Sequence, residues 1–251
     1  ITSVAWHPRF NYAILAGDSK GDIHIRLLHK SSAVGATILL SFRQVADERT
    51  VHCFAFDAGV NVAVGFGNQV DVYKMGTLSE WTKVQSFRNP DKFPELDSEE
   101  LEPPQARSLH FLGDGAILVA TYLEHGIIAW NVASGEVIWR FTPRSCRIYH
   151  GTKESSGASV ILPRQKMIAA TNLYDGIDWY SLEETNASRY IKTTHIDIKD
   201  NYPLHISSVQ DGDYVLAGGS ENACVISTET FRTAQQLEVP GKQGPYLVQA
   251  V

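Results

Sequence analysis

The sequence predicts an all-β protein built from four-stranded antiparallel units of about 50 residues. Three observations carry this. A short apolar run ending in a small residue recurs five times: Ile14-Leu15-Ala16-Gly17, Val62-Ala63-Val64-Gly65, Leu118-Val119-Ala120-Thr121, Ile168-Ala169-Ala170-Thr171 and Val215-Leu216-Ala217-Gly218. The copies start 48, 56, 50 and 47 residues apart. No stretch of helical length shows helical periodicity, whereas two-residue alternation and short apolar runs fill the chain.

Each recurring run reads as a second strand, buried on both faces and ending where no large side chain fits. An alternating first strand precedes it, with apolar positions at Val4/Trp6, Phe54/Phe56, Leu109/Phe111, Val160/Leu162 and, more weakly, Ser207/Val209. Period two implies one buried face, and these positions are expected to form it. Third strands follow at Ile23–Leu27, Val70–Lys74, Ile127–Asn131, Ile177–Ser181 and Ala223–Ser227, after turns that hold Gly21, Gly126 and Gly176. Fourth strands are expected at Thr37–Phe42, Thr82–Phe87, Val137–Phe141, Arg189–Thr194 and Arg232–Leu237. The second strand begins 12, 11, 12, 12 and 11 residues before Arg26, Tyr73, Trp130, Tyr180 and Ile226. Length therefore varies mainly between units, as it does when tight hairpins are joined by surface loops.

Units of this kind, with Ile128-Ala129-Trp130-Asn131 closing a third strand and Val4-Ala5-Trp6-His7-Pro8 opening the first, resemble the WD-repeat β-propeller family. The resemblance covers nearly the whole chain and implies a β-propeller of four-stranded blades. Trp130-Asn131 stands where that family has Trp-Asp, Tyr73-Lys74 and Tyr180-Ser181 stand there in their units, and Arg26-Leu27 and Ile226-Ser227 depart further. The family's Gly-His opening is absent. Its buried hydrogen-bond network is therefore not carried over, and the blades are expected to rely on apolar packing. The stretch 129–139 also resembles the docking motif of quinoprotein propellers, with Asn for Asp and Ser for Thr, but it occurs once.

The expected units are approximately 1–50, 51–106, 107–156, 157–203 and 204–243, with an acidic, proline-rich insertion at 89–106. Residues 244–251 resemble the first strand of a sixth unit. Rings of the WD-repeat family usually have seven blades, so the expectation is a single, incomplete propeller belonging to a six- or seven-bladed ring.

The 251 residues carry a net charge of −6, which argues against nucleic acid as the main partner. Six carboxylates against one lysine in 89–106 contribute −5, so the rest is close to neutral. Cys53, Cys146 and Cys224 are odd in number and far apart, as expected of free thiols in an intracellular, cytoplasmic or nuclear protein. The opening residues lack a secretory-signal pattern, and no apolar run is long enough to span a bilayer.

The chain shows no GxSxG, HExxH or phosphate-cradling glycine loop. No catalytic residue, cofactor or metal site is expected. His195, Asp197, Asp200 and His205 lie close in sequence, but alternating strand polarity accounts for them better than metal ligation. The candidate partner-binding residues lie in two loops. Asp91, Glu95, Asp97, Glu99, Glu100 and Glu102 form an acidic one; Arg140, Arg144, Arg147, Tyr149, His150 and Lys153 form a basic one. Both are fourth-to-first connections, so both should flank the third unit on one face, pairing with each other or presenting split charge to a partner. Trp81 and Tyr149 are candidate aromatic anchors. The expected function is a non-catalytic protein–protein interaction scaffold whose partners are other proteins. The alternative is a propeller enzyme, or a small-molecule- or metal-binding module, with polar first-strand residues converging on the central channel.

Overall fold

The computed structural model describes residues 1–10, 12–30, 36–44, 49–78, 80–87, 105–122, 125–141, 157–172, 174–182, 189–196, 198, 204–219 and 222–238. They form five four-stranded antiparallel sheets. The first sheet is β1 (Ser3–Trp6), β2 (Ala13–Gly17), β3 (Ile23–Lys30) and β4 (Ala36–Gln44). The second is β5 (Val51–Phe56), β6 (Asn61–Phe66), β7 (Gln69–Met75) and β8 (Trp81–Phe87). The third is β9 (Ala106–Leu112), β10 (Ile117–Tyr122), β11 (Gly126–Asn131) and β12 (Val137–Phe141). The fourth is β13 (Ser159–Leu162), β14 (Met167–Thr171), β15 (Gly176–Ser181) and β16 (Arg189–His195). The fifth is β17 (Ile206–Val209), β18 (Tyr214–Gly218), β19 (Asn222–Ser227) and β20 (Thr233–Glu238).

In every sheet the strands lie in sequence order, each beside the next. These are blades of a β-propeller. Among the described residues, helix is confined to a single 3-10 turn at Gln210–Gly212. The strands fall within a residue or two of the expected places, except β3, which runs three residues past Leu27. The end of the acidic insertion is one difference, since Ala106 already opens β9. The strand expected after residue 244 lies outside the described residues.

The chain divides into two compact units, Ile1–Ala120 with Ala129–Val137, and Thr121–Ile128 with Ile138–Val251. Within each, sheets stack by one rule. Directly paired residues share a face. In the first sheet Ala5, Leu15, Ile23 and Ile25 share a face we call A; Val4, Trp6, Ile14, Ala16, His24 and Arg26 share face B. Equivalent positions in the other sheets take the same letters.

In the first unit, Leu15, Ile23 and Ile25 from face A of the first sheet pack with Val62, Val64, Phe66 and Tyr73 from face B of the second. Face A of the second sheet meets the third: Phe87 stands opposite Val70, with its ring 5.0 Å from that of Trp130. In the second unit, Ala169, Ile177 and Trp179 from face A of the fourth sheet pack with Val215, Ala217, Cys224 and Ile226 from face B of the fifth. Each fully buried aliphatic side chain in these stacks contributes about 1.5–3 kcal/mol.

In the first two sheets the small residue ending the second strand is explained by the next first strand. A Cβ on Gly17 would drive into the Val51 side chain. One on Gly65 would lie 2.8 Å from Cys53 Sγ and 3.2 Å from Ala106 Cβ. Where threonine stands instead, its hydroxyl is used. Thr121 Oγ1 shares a 2.6 Å hydrogen bond with Ser159 Oγ, and Thr171 donates to the Ala158 carbonyl at 3.2 Å. Gly65→Ala is accordingly expected to cost about 1–2 kcal/mol by overpacking. Denaturant unfolding checks this, and a neutral result would mean the junction is looser than the geometry states.

Candidate functional site

The first sheet departs from the burial that the sequence leads one to expect. Val4 and Trp6 are expected to form the buried face of β1, yet they are 45% and 42% exposed, while Ser3 and Ala5, which alternate with them, are less so. The alternation is present, but the covered face is the opposite one. Face A of this sheet carries the packing against the second sheet, so Val4 and Trp6 stand on face B. Two cross-strand rows build that face: Trp6 beside Ile14 beside Arg26, and Val4 beside Ala16 beside His24.

The equivalent rows in the second and fourth sheets are more deeply covered. In the second sheet they are Phe56–Val62–Tyr73 and Phe54–Val64–Asp71; in the fourth, Ile161–Ile168–Tyr180 and Ser159–Ala170–Asp178. There the second- and third-strand members are almost fully buried, whereas Ile14, His24 and Arg26 keep partial exposure.

Local contacts hold this face in shape. His7 is buried, and its Nδ1 accepts the backbone N–H groups of Arg9 and Phe10 at 3.1 and 3.3 Å. Burial first, then the Arg9 charge, lowers the His7 pKa, so the ring is neutral and Nδ1 free to accept. The His7 ring lies 4.8 Å from Phe10 and 5.2 Å from Phe56, and Phe10 lies 6.0 Å from exposed Tyr12. At the other end, Asp18 Oδ1 accepts the N–H groups of Lys20 and Asp22 at 2.9 and 3.0 Å and closes the β2–β3 turn. Its Oδ2 lies 3.3 Å from His24 Nε2. Partial burial opposes its ionisation, but the Asp22 and Lys20 N–H donors and His24 outweigh it and hold the carboxyl below its ordinary range.

Asp18, Asp22 and His24 are also the one group of three His, Cys, Asp or Glu residues, among those described, with ligand atoms within 4.8 Å of one another. Asp18 already spends both oxygens on the turn and on His24, so the group is explained as the network of its own hairpin. Asn172 does the same work in the fourth sheet, where its Oδ1 accepts from the N–H groups of Tyr174, Asp175 and Gly176.

Two buried carboxylates correct the expectation of purely apolar packing. Asp71 is 0% exposed on β7. It accepts from Gln69 Nε2 at 2.5 Å and Tyr73 OH at 3.2 Å, and pairs with Lys83 Nζ at 2.6 Å. Asp178 is 2% exposed at the same position of β15. It accepts from Thr193 Oγ1 at 2.6 Å, Tyr180 OH at 3.0 Å and Asn172 Nδ2 at 3.2 Å. In both, the tyrosine two residues on shares the face and turns its hydroxyl back. The signal in sequence is Asp-x-Tyr in the middle of an apolar third strand. These carboxylates are spoken for by their own sheets and present nothing to a ligand.

Of the residues expected to bind partners, Asp91, Glu95, Asp97, Glu99, Glu100, Glu102, Arg144, Arg147, Tyr149, His150 and Lys153 lie outside the described residues. Arg140 lies on β12, half-buried and engaged by a neighbour. Trp81 is not an exposed anchor: it is half-buried against the core of the first unit, 5.9 Å from Tyr73. His195 pairs at the surface with Asp175 at 3.1 Å, and His205 is exposed, while Asp197 and Asp200 lie outside the described residues. Asn131 uses its side chain locally, accepting from the N–H groups of Ala133 and Ser134. Among the described residues no helix is long and apolar enough to cross a membrane. No protein-family model matches the chain, and no curated protein matches it.

Proposed function

We propose that the protein is a non-catalytic protein–protein interaction scaffold, a propeller of WD-repeat type. The observation that carries this reading is face B of the first sheet, where Trp6, Val4 and Ile14 stand with Arg26 and His24 on rigid strands and remain open to solvent. Trp and Arg are the side chains that most often anchor protein interfaces, and a strand-borne surface loses little entropy when covered. The enzyme alternative needs polar side chains converging from the first strands. β1, β5, β9, β13 and β17 carry two histidines, His52 and His110, and no Asp or Glu, fewer than the three converging groups that alternative needs. The acidic and basic inter-unit loops would add charge-steered contacts beside it.

Intracellular residence belongs to the same proposal. Cys53 and Cys224 are free and buried, and burial pushes the Cys53 thiol up to about 12, so it is inert rather than poised for oxidation. Affinity purification of the chain, compared with Trp6→Glu, with Val137→Glu and with a deletion of 89–106, tests the function. Proteins bound in stoichiometric amount should be lost with Trp6→Glu and kept with Val137→Glu, since Val137 is exposed on β12 and not on this face. A bound set unchanged by Trp6→Glu and by the deletion would defeat the reading.

A further inference from the structure

The junction of β5 and β9, both within the first compact unit, holds a cation for which the fold has no use. The two strands open side by side. Cys53 Sγ donates to the Ala106 carbonyl at 3.4 Å, and both residues crowd Gly65. β5 is irregular at this point. Val51 stands opposite Phe66 and Cys53 opposite Gly65, so His52 is an extra residue, a β-bulge. Plain alternation would put Val51 and Cys53 on one face. The bulge separates them: Val51 packs in the core between the first two sheets, and Cys53 reaches Ala106 of the third. Bulges of this kind re-aim side chains and are over-represented beside active sites.

His52 and Arg107 flank that contact, one on each strand, and both are half-buried, so an ion from solution reaches them. Burial first, then the Arg107 charge, lowers the His52 pKa, and the ring is neutral at neutral pH. Burial also lowers the Arg107 pKa, and the Cys53 thiol acts against this. That thiol is pushed up to about 12 and supplies no negative charge. Among the described residues no Asp or Glu forms an ion pair with Arg107. A guanidinium drawn out of water without a counter-charge is costly, and nothing among those residues offsets the cost. The pair is rich in donors: a planar guanidinium fork and one imidazole N–H.

We propose that Arg107 and His52 bind a phosphate-type oxyanion, either free phosphate or the phosphate group of a larger molecule. The fork would take two oxygens and the imidazole N–H a third, which a phosphate has and a carboxylate lacks. This goes beyond the scaffold reading and does not depend on face B.

Titration of the full chain with inorganic phosphate at constant ionic strength tests this, followed by proton resonances of the imidazoles and by calorimetry. The His52 signal, assigned by its loss in His52→Gln, should shift saturably with phosphate. Acetate should bind about tenfold more weakly or worse, since it leaves one donor unused. Arg107→Gln should weaken phosphate binding about tenfold or more. Arg107→Lys keeps the charge and loses the fork, so it should fall between. Phosphate should raise the unfolding midpoint of the wild type and not that of Arg107→Gln. In buffer free of oxyanions, Arg107→Gln should unfold at or above the wild-type midpoint, because it removes an uncompensated charge and no ion pair. Phenyl phosphate separates the two sources: tighter binding than inorganic phosphate places the anion on a larger molecule, equal or weaker binding places it free in solution, and both keep the site.

A His52 signal unmoved by phosphate overturns the proposal. So does binding that survives Arg107→Gln, or a marked fall in the midpoint of that variant in oxyanion-free buffer, which would show that Arg107 is already paired within the fold. A chain lacking 89–104 that binds phosphate where the full chain does not would assign the cation to the chain's own carboxylates and overturn it as well.

Discussion

Replacing Trp179 with alanine is expected to destabilise the protein by about 3–5 kcal/mol. Trp179 lies on β15, on face A of the fourth sheet, and is 0% exposed. Its ring belongs to the cluster shared with Val215, Ala217, Cys224 and Ile226 of the fifth sheet and meets Phe231 edge-on at 5.1 Å. Its Nε1–H donates to Thr194 Oγ1 at 2.9 Å, and that hydroxyl donates to the Phe231 carbonyl at 2.8 Å. One side chain thus fills the space between two sheets and ties both to the turn before β20. Alanine opens a cavity that rigid strands cannot close and removes a buried hydrogen bond as well. Trp179→Phe keeps most of the volume and loses only the N–H donor, so it should cost about 1–1.5 kcal/mol. Denaturant unfolding of the full chain measures both. Hydrogen exchange in the Trp179→Ala variant should rise first in Tyr214–Gly218, the strand that leans on the ring. A loss below about 1 kcal/mol for alanine would show that the fifth sheet does not depend on this stack.

The repeats were legible because they follow from a constraint that acts on backbone spacing. The Gly17 and Gly65 positions are small since the next first strand passes where a side chain would be, and the constraint acts at both of these junctions. Its polar form was less visible. Thr121 and Thr171 looked like tolerated small residues, whereas each reaches a neighbouring strand through its hydroxyl. Asp71 and Asp178 were missed for a related reason. A charged residue within a strand reads as a solvent-facing position, and only the tyrosine two places on, together with a donor from the fourth strand, makes burial affordable. Those fourth-strand donors, Lys83 and Thr193, differ in chemistry and carry no common motif.

The open face could not be read from the first strand alone. Val4/Trp6 has the same alternation as Phe54/Phe56, and the latter pair is packed against the core of the first unit. Which of two apolar-looking faces is covered depends on the neighbouring sheet, and that information is not local. The charged loops are the opposite case: conspicuous in composition, yet their sequence has none of the strand alternation from which neighbours can be read.

The two buried carboxylates lead to opposite expectations at one structural position. Asp71 has the Lys83 ammonium beside it, and Asp178 has only neutral donors. Burial is the largest influence on Asp178 and raises its pKa. The hydrogen bonds from Thr193, Tyr180 and Asn172 act against burial, the Asp175 charge acts with it, and the net shift is upward. A carboxyl whose folded pKa is raised contributes stability that is fully present below the unfolded value and is lost as pH rises through the folded value. Asp178 should therefore weaken the fold between the ordinary carboxylate range and neutral pH. Asp178→Asn keeps the shape, accepts from Thr193 and Asn172 through its carbonyl, and can donate to the Tyr180 oxygen. At neutral pH it should be within about 1 kcal/mol of wild type or more stable. Asp178→Ala withdraws the shared acceptor from three donors and should cost about 2–3 kcal/mol, although Asn172 retains Asp175 and Thr193 retains Tyr190. The informative quantity is the stability of Asp178→Asn minus that of wild type, in which the contributions common to both proteins cancel. That difference should grow as pH rises from acid to neutral. A flat difference would mean the charge of Asp178 is fully compensated by its three donors, and a falling one would mean the ionised form is what the sheet is built to hold.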